Sequence, residues 1–312
     1  MSKMKFAAVA AMATSAVLIM AGCASTPAST PSASATTAAP AALPTVAKDA
    51  TAAALLPAKY QTAGINAASD IPYAPMEMFD SSNMPTGFDY DLSQSIGQKL
   101  GVTVSFNKQA FDTIIPSLQA GNHDIIMSSM NDTVDRQKTV DFVDYFKGGF
   151  SIVVAKGNPQ GIKTLIDLCG QPVTIQKATV QGDMLKALPP QCKAAGKGPV
   201  VINEYPADPD ALSALRAGKG VADVMDSPVA AYNAQTAGNG QYFDLITDAA
   251  NPNGYETVFT GIGVLKANTG LTKAIQAAVQ SLMDDGTYGK ILAKWNLTSF
   301  GITTASINGT KK

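Results

Sequence analysis

From residue 86 onward the apolar positions change period in a regular order. In "TGFDYDLSQSIGQKLG" Phe88, Leu92, Ile96 and Leu100 stand four apart, so they share one face of a helix. Gly101 follows where a left-handed terminal residue belongs. "VTVSF" then alternates, which predicts a strand. "FDTIIPSLQAG" predicts a helix ending at Gly121, with Pro116 near its first turns, and "DIIMSS" a short buried strand. The scheme returns later. "TLIDLCG" predicts a short helix, "PVTIQ" a strand, and "TVQGDMLKAL" a helix with Thr179 at its N-cap. "DALSALRAGKG" and "VADVMD" predict another helix and strand, and residues 271–297 a pair of helices. Helix and strand alternate, so the expected class is α/β with a largely parallel sheet.

One phrase occurs twice. "SLQAGNHDIIMSS" and "ALRAGKGVADVMDS" each read as helix, glycine stop, tight turn and buried strand. Their strands end in Ser128 and Ser129 in one copy and in Asp226 and Ser227 in the other. Open α/β sheets bind ligands outside the carboxyl ends of their strands, so two facing lobes would enclose a cleft.

Composition changes the picture mainly at the N-terminus. "MSKMKFAAVAAMATSAVLIMAGC" has Lys3 and Lys5, then an apolar run, then small residues, as in a secretory signal. The run is short for a membrane span. Met20-Ala21-Gly22-Cys23 resembles a bacterial lipobox, with Met20 where leucine is usual. That resemblance implies cleavage after residue 22 and a lipid on Cys23. Residues 23–59 are then expected to form the lipid-bearing end and a disordered tether rich in Ala, Ser, Thr and Pro, reaching roughly 30 Å. Removing Lys3 and Lys5 would take the formal charge from −1 to about −3, which offers no footprint for nucleic acid.

Three cysteines are present. With Cys23 lipidated, Cys169 and Cys192 remain as an even pair in an exported chain, and a disulfide is expected over two buried thiols. His123 is the single histidine, so a histidine-based metal site is not expected; no cofactor is expected either.

Candidate ligand contacts cluster after the first repeated strand. In "SSMNDTVDR" Thr133 is placed to cap a following helix, whose first turn holds Arg136. A guanidinium there can clamp a carboxylate through two bonds, while Asp226 in the other copy can pair an ammonium. The same residues could equally be a surface charge and a helix cap.

"SDIPYAPMEM", "GFDYDLSQSIGQKLG", "IPSLQAGNHDIIMSSMNDTVDRQKTVDFVDYF", "GVADVMDSPVA" and "YGKILAKWNL", in this order, resemble the polar amino-acid-binding proteins of ABC importers. These are the lysine/arginine/ornithine, histidine and glutamine receptors, and the likeness covers residues 60–297. It implies a two-lobed, type II periplasmic-binding-protein fold with a ligand cleft. Lobe 1 would comprise residues 60–149 and 257–300, lobe 2 residues 150–256, and a tail residues 301–312. "GGFSIVVAKG" and "TVFTGIGVLK" would be the hinge.

The resemblance also implies roles. Asp70 would face the ligand side chain, and Tyr73 and Phe111 would flank its aliphatic part. Ser128, Ser129 and Asn131 would touch main-chain groups. Arg136, Thr179 and Val180 would meet the carboxylate, and Asp226 the ammonium. Asn131 stands where Ser or Thr is common, Ala178 where glycine is usual, and Val180 where a hydroxyl is frequent. The implied partners are an L-amino acid (cationic, or glutamine) and a membrane permease with its ATPase. The protein would be an extracytoplasmic, lipid-anchored monomer with no nucleic acid partner. An enzyme on the same scaffold, of the dehydratase kind, and a sensor that signals without transport are the alternatives. Against catalysis, no nucleophile–base pair accompanies the cleft motifs.

Overall fold

The computed structural model describes residues 45–311. The expected signal segment, the lipidated Cys23 and most of the tether lie outside these residues.

Eleven strands occur among the described residues. They are β1 Ile65–Ser69, β2 Met78–Phe79, β3 Pro85–Thr86, β4 Val104–Lys108, β5 Ile125–Ile126 and β6 Val140–Ala155. The remainder are β7 Pro172–Gln176, β8 Val201–Tyr205, β9 Ala222–Asp226, β10 Phe243–Ile246 and β11 Tyr255–Leu265. β2 and β3 form a separate hairpin; the others join in one sheet, in the order β4-β1-β5-β11-β6-β9-β7-β8, with β10 on β6. The sheet is mixed rather than largely parallel. β4-β1-β5 and β9-β7-β8 are parallel triplets, one in each half, whereas every pairing of β6 and β11 is antiparallel. The alternation of helices and strands predicts the triplets. It does not reveal two long strands running between them.

β6 changes partners along its length. Residues 140–150 pair with β11, and residues 150–154 pair with β9. A Cβ on Gly149 would stand 2.6 Å from the Gly254 backbone, and a Cβ on Gly254 would stand 2.8 Å from Gly149. Glycine at both positions is what lets the two backbones meet at the switch.

The helix Phe88–Leu100 buries its predicted stripe. Phe88, Leu92, Ile96 and Leu100 pack in one apolar cluster with Ile275, Val279 and Leu282 of helix Thr269–Asp284. A second cluster gathers Val173 and Ile175 of β7 with Leu185 and the Cys169–Cys192 disulfide. That bridge spans 23 positions, a loop whose closure stabilises by about 3 kcal/mol in the chain-entropy picture.

Both ends of the described chain are fastened down. The tether expected as far as residue 59 gives way to fold by Val46, which is buried and whose N–H bonds the Gln98 side chain. Asp49 caps helix Ala50–Ala54 through the N–H groups of Thr51 and Ala52, and the small Ala52 lets that helix pack closely. Alanine-rich composition therefore reads as tether until a cap and a docking surface are supplied. At the other end Ile307 bridges Val143, and Asp144 accepts bonds from Ser306 and Gly309.

Candidate functional site

Four strands, two from each parallel triplet, aim their carboxyl ends at one place from opposite sides. β1 leads into Asp70, β5 into Ser128 and Ser129, β7 ends at Gln176 and β9 at Asp226. The repeated phrase builds two of these ends. Helix Ile114–Gln119 stops at Gly121 (φ 76°) before β5, and helix Asp208–Arg216 stops at Gly218 (φ 74°) before β9. Neither glycine would crowd a Cβ, so its left-handed φ is the requirement.

A narrow polar pocket lies at the convergence. Asp70, Tyr73, Phe111, Ser128, Ser129, Asn131, Thr179 and Asp226 line it. Arg136 and Val180, expected beside them, do not. Three further lining residues are Glu77, Gln176 and Gln181. Gln176 could have been found from its strand-end position; Glu77 was marked only by being an acid inside "YAPMEM".

Side chains from both halves of the sheet meet across the cavity. Tyr73 donates its hydroxyl to Asp226 at 2.8 Å, and Asn131 donates its amide to the other Asp226 oxygen at 3.3 Å. Gln176 donates to Asp70. Lys177 pairs with Asp112 at 2.7 Å just outside. Burial pushes Asp226 up to about 6, against the bonds from Tyr73 and Asn131 and the charge of Arg136. Burial likewise raises Asp70, with the Gln176 bond acting the other way.

Arg136 takes a different posture from a free clamp. Its guanidinium donates to the Asn131 carbonyl at 2.9 Å and to the Ala178 carbonyl at 3.0 Å, with its carbon 5.4 Å from the Phe111 ring centroid. The helix expected around it is a single 3₁₀ turn, Arg136–Lys138, because β6 begins at Val140. Thr133 still accepts the Arg136 N–H at 3.2 Å. Ala178 adopts φ 62°, a left-handed conformation that costs a non-glycine residue roughly 1–2 kcal/mol. The glycine usual at that position is thus replaced without losing the turn.

Thr179 occupies the N-cap of helix Val180–Ala187, as expected, yet does not cap it. Its hydroxyl donates to the Gln176 carbonyl at 2.8 Å, and no side chain covers the helix's first N–H groups. Val180 begins the helix and Gln181 reaches the cavity from its first turn. One wall of the cavity thus carries uncapped amide donors, and others carry carboxylates.

Two parallel half-sheets, two long strands passing between them and a polar cavity at the facing strand ends define a two-lobed solute-binding protein. The chain belongs to the bacterial extracellular solute-binding proteins, family 3, which it matches over residues 65–298. It is similar to the arginine-binding protein ArgT of Corynebacterium glutamicum, at 32% identity over 250 residues, 78% of each chain. Among solved structures it is similar to an ancestral arginine-binding protein bound to arginine, with 33% identity and a TM-score of 0.65, covering 74% of this chain and 97% of that one. The glutamine-bound form gives 33% identity and a TM-score of 0.64, covering 75% and 97%.

Proposed function

We propose that this chain is the extracytoplasmic receptor of an ABC importer and captures a cationic L-amino acid between two lobes. The charge arrangement of the cavity carries this reading. Asp70 and Asp226 both face the cavity, while Arg136 and an uncapped helix start stand beside it. A cationic amino acid brings two positive groups and one carboxylate. Its ammonium pairs with Asp226, its side-chain cation with Asp70, and its carboxylate with the amides at Thr179 and Val180 near Arg136. The charges facing the cavity are then matched, as a dry site requires. Glutamine would leave Asp70 with an amide donor only, so it is the weaker ligand. The arginine-bound ancestral relative supports this ranking, and its glutamine-bound form supports glutamine as a second ligand.

In this reading lobe 1 comprises residues 46–149 and 257–311 and lobe 2 residues 150–256, with the partner switch of β6 as one hinge segment. Ligand closes the lobes, and the closed form docks on a permease and its ATPase. A lipid on Cys23 keeps the monomeric receptor at the outer face of the membrane.

Thermal unfolding of the soluble body against a panel of L-amino acids tests this. A ligand at a hundred times its Kd stabilises by about 2.7 kcal/mol, a shift of a few degrees at this size. Arginine and lysine should shift Tm most and glutamine less. A shift confined to acidic or apolar amino acids would discard the specificity. No shift with any amino acid would discard the receptor reading.

A further inference from the structure

At and behind the serine wall lies a line of buried polar groups that direct ligand pairing does not require. Ser128 donates its hydroxyl to Glu77 Oε1 at 3.0 Å and accepts the Asp70 N–H at 2.8 Å. Ser129 donates its N–H to Asp89 Oδ2 at 2.7 Å, and Tyr145 donates its hydroxyl to Asp89 Oδ1, also at 2.7 Å. Glu77, Asp89 and Tyr145 are all fully buried. Among the described residues no lysine or arginine forms an ion pair with either acid. Glu77 Oε2 is buried with no donor facing it.

Two ionised carboxylates side by side without a counter-ion are costly in a dry interior. Burial and the neighbouring Asp89 charge push Glu77 well above the carboxylate range, and burial raises Asp89 to about 7 despite its bonds from Ser129 and Tyr145. A proton on Glu77 Oε2 resolves the pairing. It converts the orphaned oxygen into a donor, and Asp89 becomes its acceptor.

We propose that Glu77 is held as a neutral acid that donates to Asp89, and that this pair is a positioning device for Ser128 and Ser129. The single hydroxyl proton of Ser128 is spent on Glu77, so towards the cavity Ser128 can only accept. The N–H of Ser129 is spent on Asp89 and is not offered to ligand. A ligand carboxylate turned to this wall would find neither of these donors and only the Ser129 hydroxyl proton, whereas an ammonium or guanidinium finds several acceptors. The pair thereby sets ligand orientation, with cations on the serine side and the carboxylate on the Thr179 side. This rests on the amino-acid reading above.

Two variants and one ligand-free measurement test the proposal. Glu77→Gln keeps an acceptor for Ser128 and a donor for Asp89; Glu77→Met has neither. By calorimetry with L-arginine, Glu77→Gln should bind within about threefold of wild type. Glu77→Met, checked for folding by circular dichroism, should bind at least about tenfold more weakly. Infrared difference spectra at neutral pH, without ligand, should show a protonated carboxyl carbonyl in wild type that Glu77→Gln removes. Absence of that band, or a folded Glu77→Gln as weak as Glu77→Met, overturns the proposal. If wild type binds no amino acid, the receptor reading falls, and the infrared band alone decides the proton. If Glu77→Met does not fold, the band and the Glu77→Gln affinity decide it.

Discussion

The two copies of the helix-glycine-strand phrase share a backbone and differ in where they keep their charge. Past β5 the cavity meets Ser128, Ser129 and Asn131, which are neutral, and the acids Glu77 and Asp89 stand at or behind the serines. Past β9 it meets Asp226 directly, a carboxylate held by Tyr73 and Asn131 from the other half. The repeated phrase therefore supplies a frame: a left-handed glycine and a strand end pointed at the cavity. The chemistry is set by the residue beyond the strand and by what packs behind it. One end gathers acceptors whose sense is fixed from behind; the other presents a charge.

The largest expected effect comes from removing that charge. Asp226→Ala would leave the ligand ammonium buried without its counter-ion and strip the acceptor from Tyr73 and Asn131. Losing one partner of a buried pair costs about 3–5 kcal/mol, so arginine binding should weaken by more than about a hundredfold while the fold survives. Calorimetry beside circular dichroism measures both. Affinity within tenfold of wild type in a folded variant would break the comparison, because the β9 end would then carry no ligand charge.

A smaller change sharpens it. Asp70→Asn preserves shape and removes charge at the end of β1. A hydrogen bond to a charged group contributes about 1.5–3 kcal/mol, so arginine and lysine should lose roughly tenfold to a hundredfold. Glutamine should lose much less. Equal losses for arginine and glutamine would mean that Asp70 does not face the ligand side chain.

Much of this arrangement was legible in the sequence because it depends on local rules. Period and glycine placement locate helix Phe88–Leu100, β7, β9 and both copies of the repeated phrase. Eight of the ten residues that the resemblance to amino-acid receptors marked line the cavity. What escaped depends on tertiary partners. Arg136 spends its donors on two carbonyls because Ala178, from a distant segment, comes within 3.0 Å. The helix drawn around Arg136 fails because the strand pattern of β6 leaves room for one turn. The ordering of residues 45–59 needs the Gln98 side chain and helix Thr269–Asp284, neither of which a local reading of alanines can foresee. Glu77 looked like one more acid; only its burial against Ser128 and Asp89 distinguishes it.

The smallest effects, those of pH, separate the two strand ends by sign. Asp226 faces the ligand and is raised to about 6; Asp89 stands behind the serines and is raised to about 7. Below pH 6 the free protein carries a proton on Asp226 that a ligand ammonium must expel. Arginine affinity should therefore be flat above pH 7 and fall by up to about tenfold per pH unit below 6. Stability without ligand moves the other way. A carboxyl whose folded pKa lies above its unfolded value near 3.9 binds more protons when folded. Its contribution is full below that unfolded value and is lost as pH rises through 6 to 7. Asp144 and Asp208, also raised to about 7, act in the same sense. The unliganded protein should thus melt a few degrees higher at pH 5.5 than at pH 8, while it binds arginine less well. Asp226→Asn should reduce the acid dependence of affinity to the part contributed by Asp70, itself raised by burial, yet keep most of the stability trend, because Asp89 still titrates. An affinity flat from pH 8 to 5 would remove Asp226 from the ammonium. A Tm that falls steadily between pH 8 and 5.5 would mean that the acids behind the serine wall are ionised when folded, and the contrast between the two strand ends would collapse.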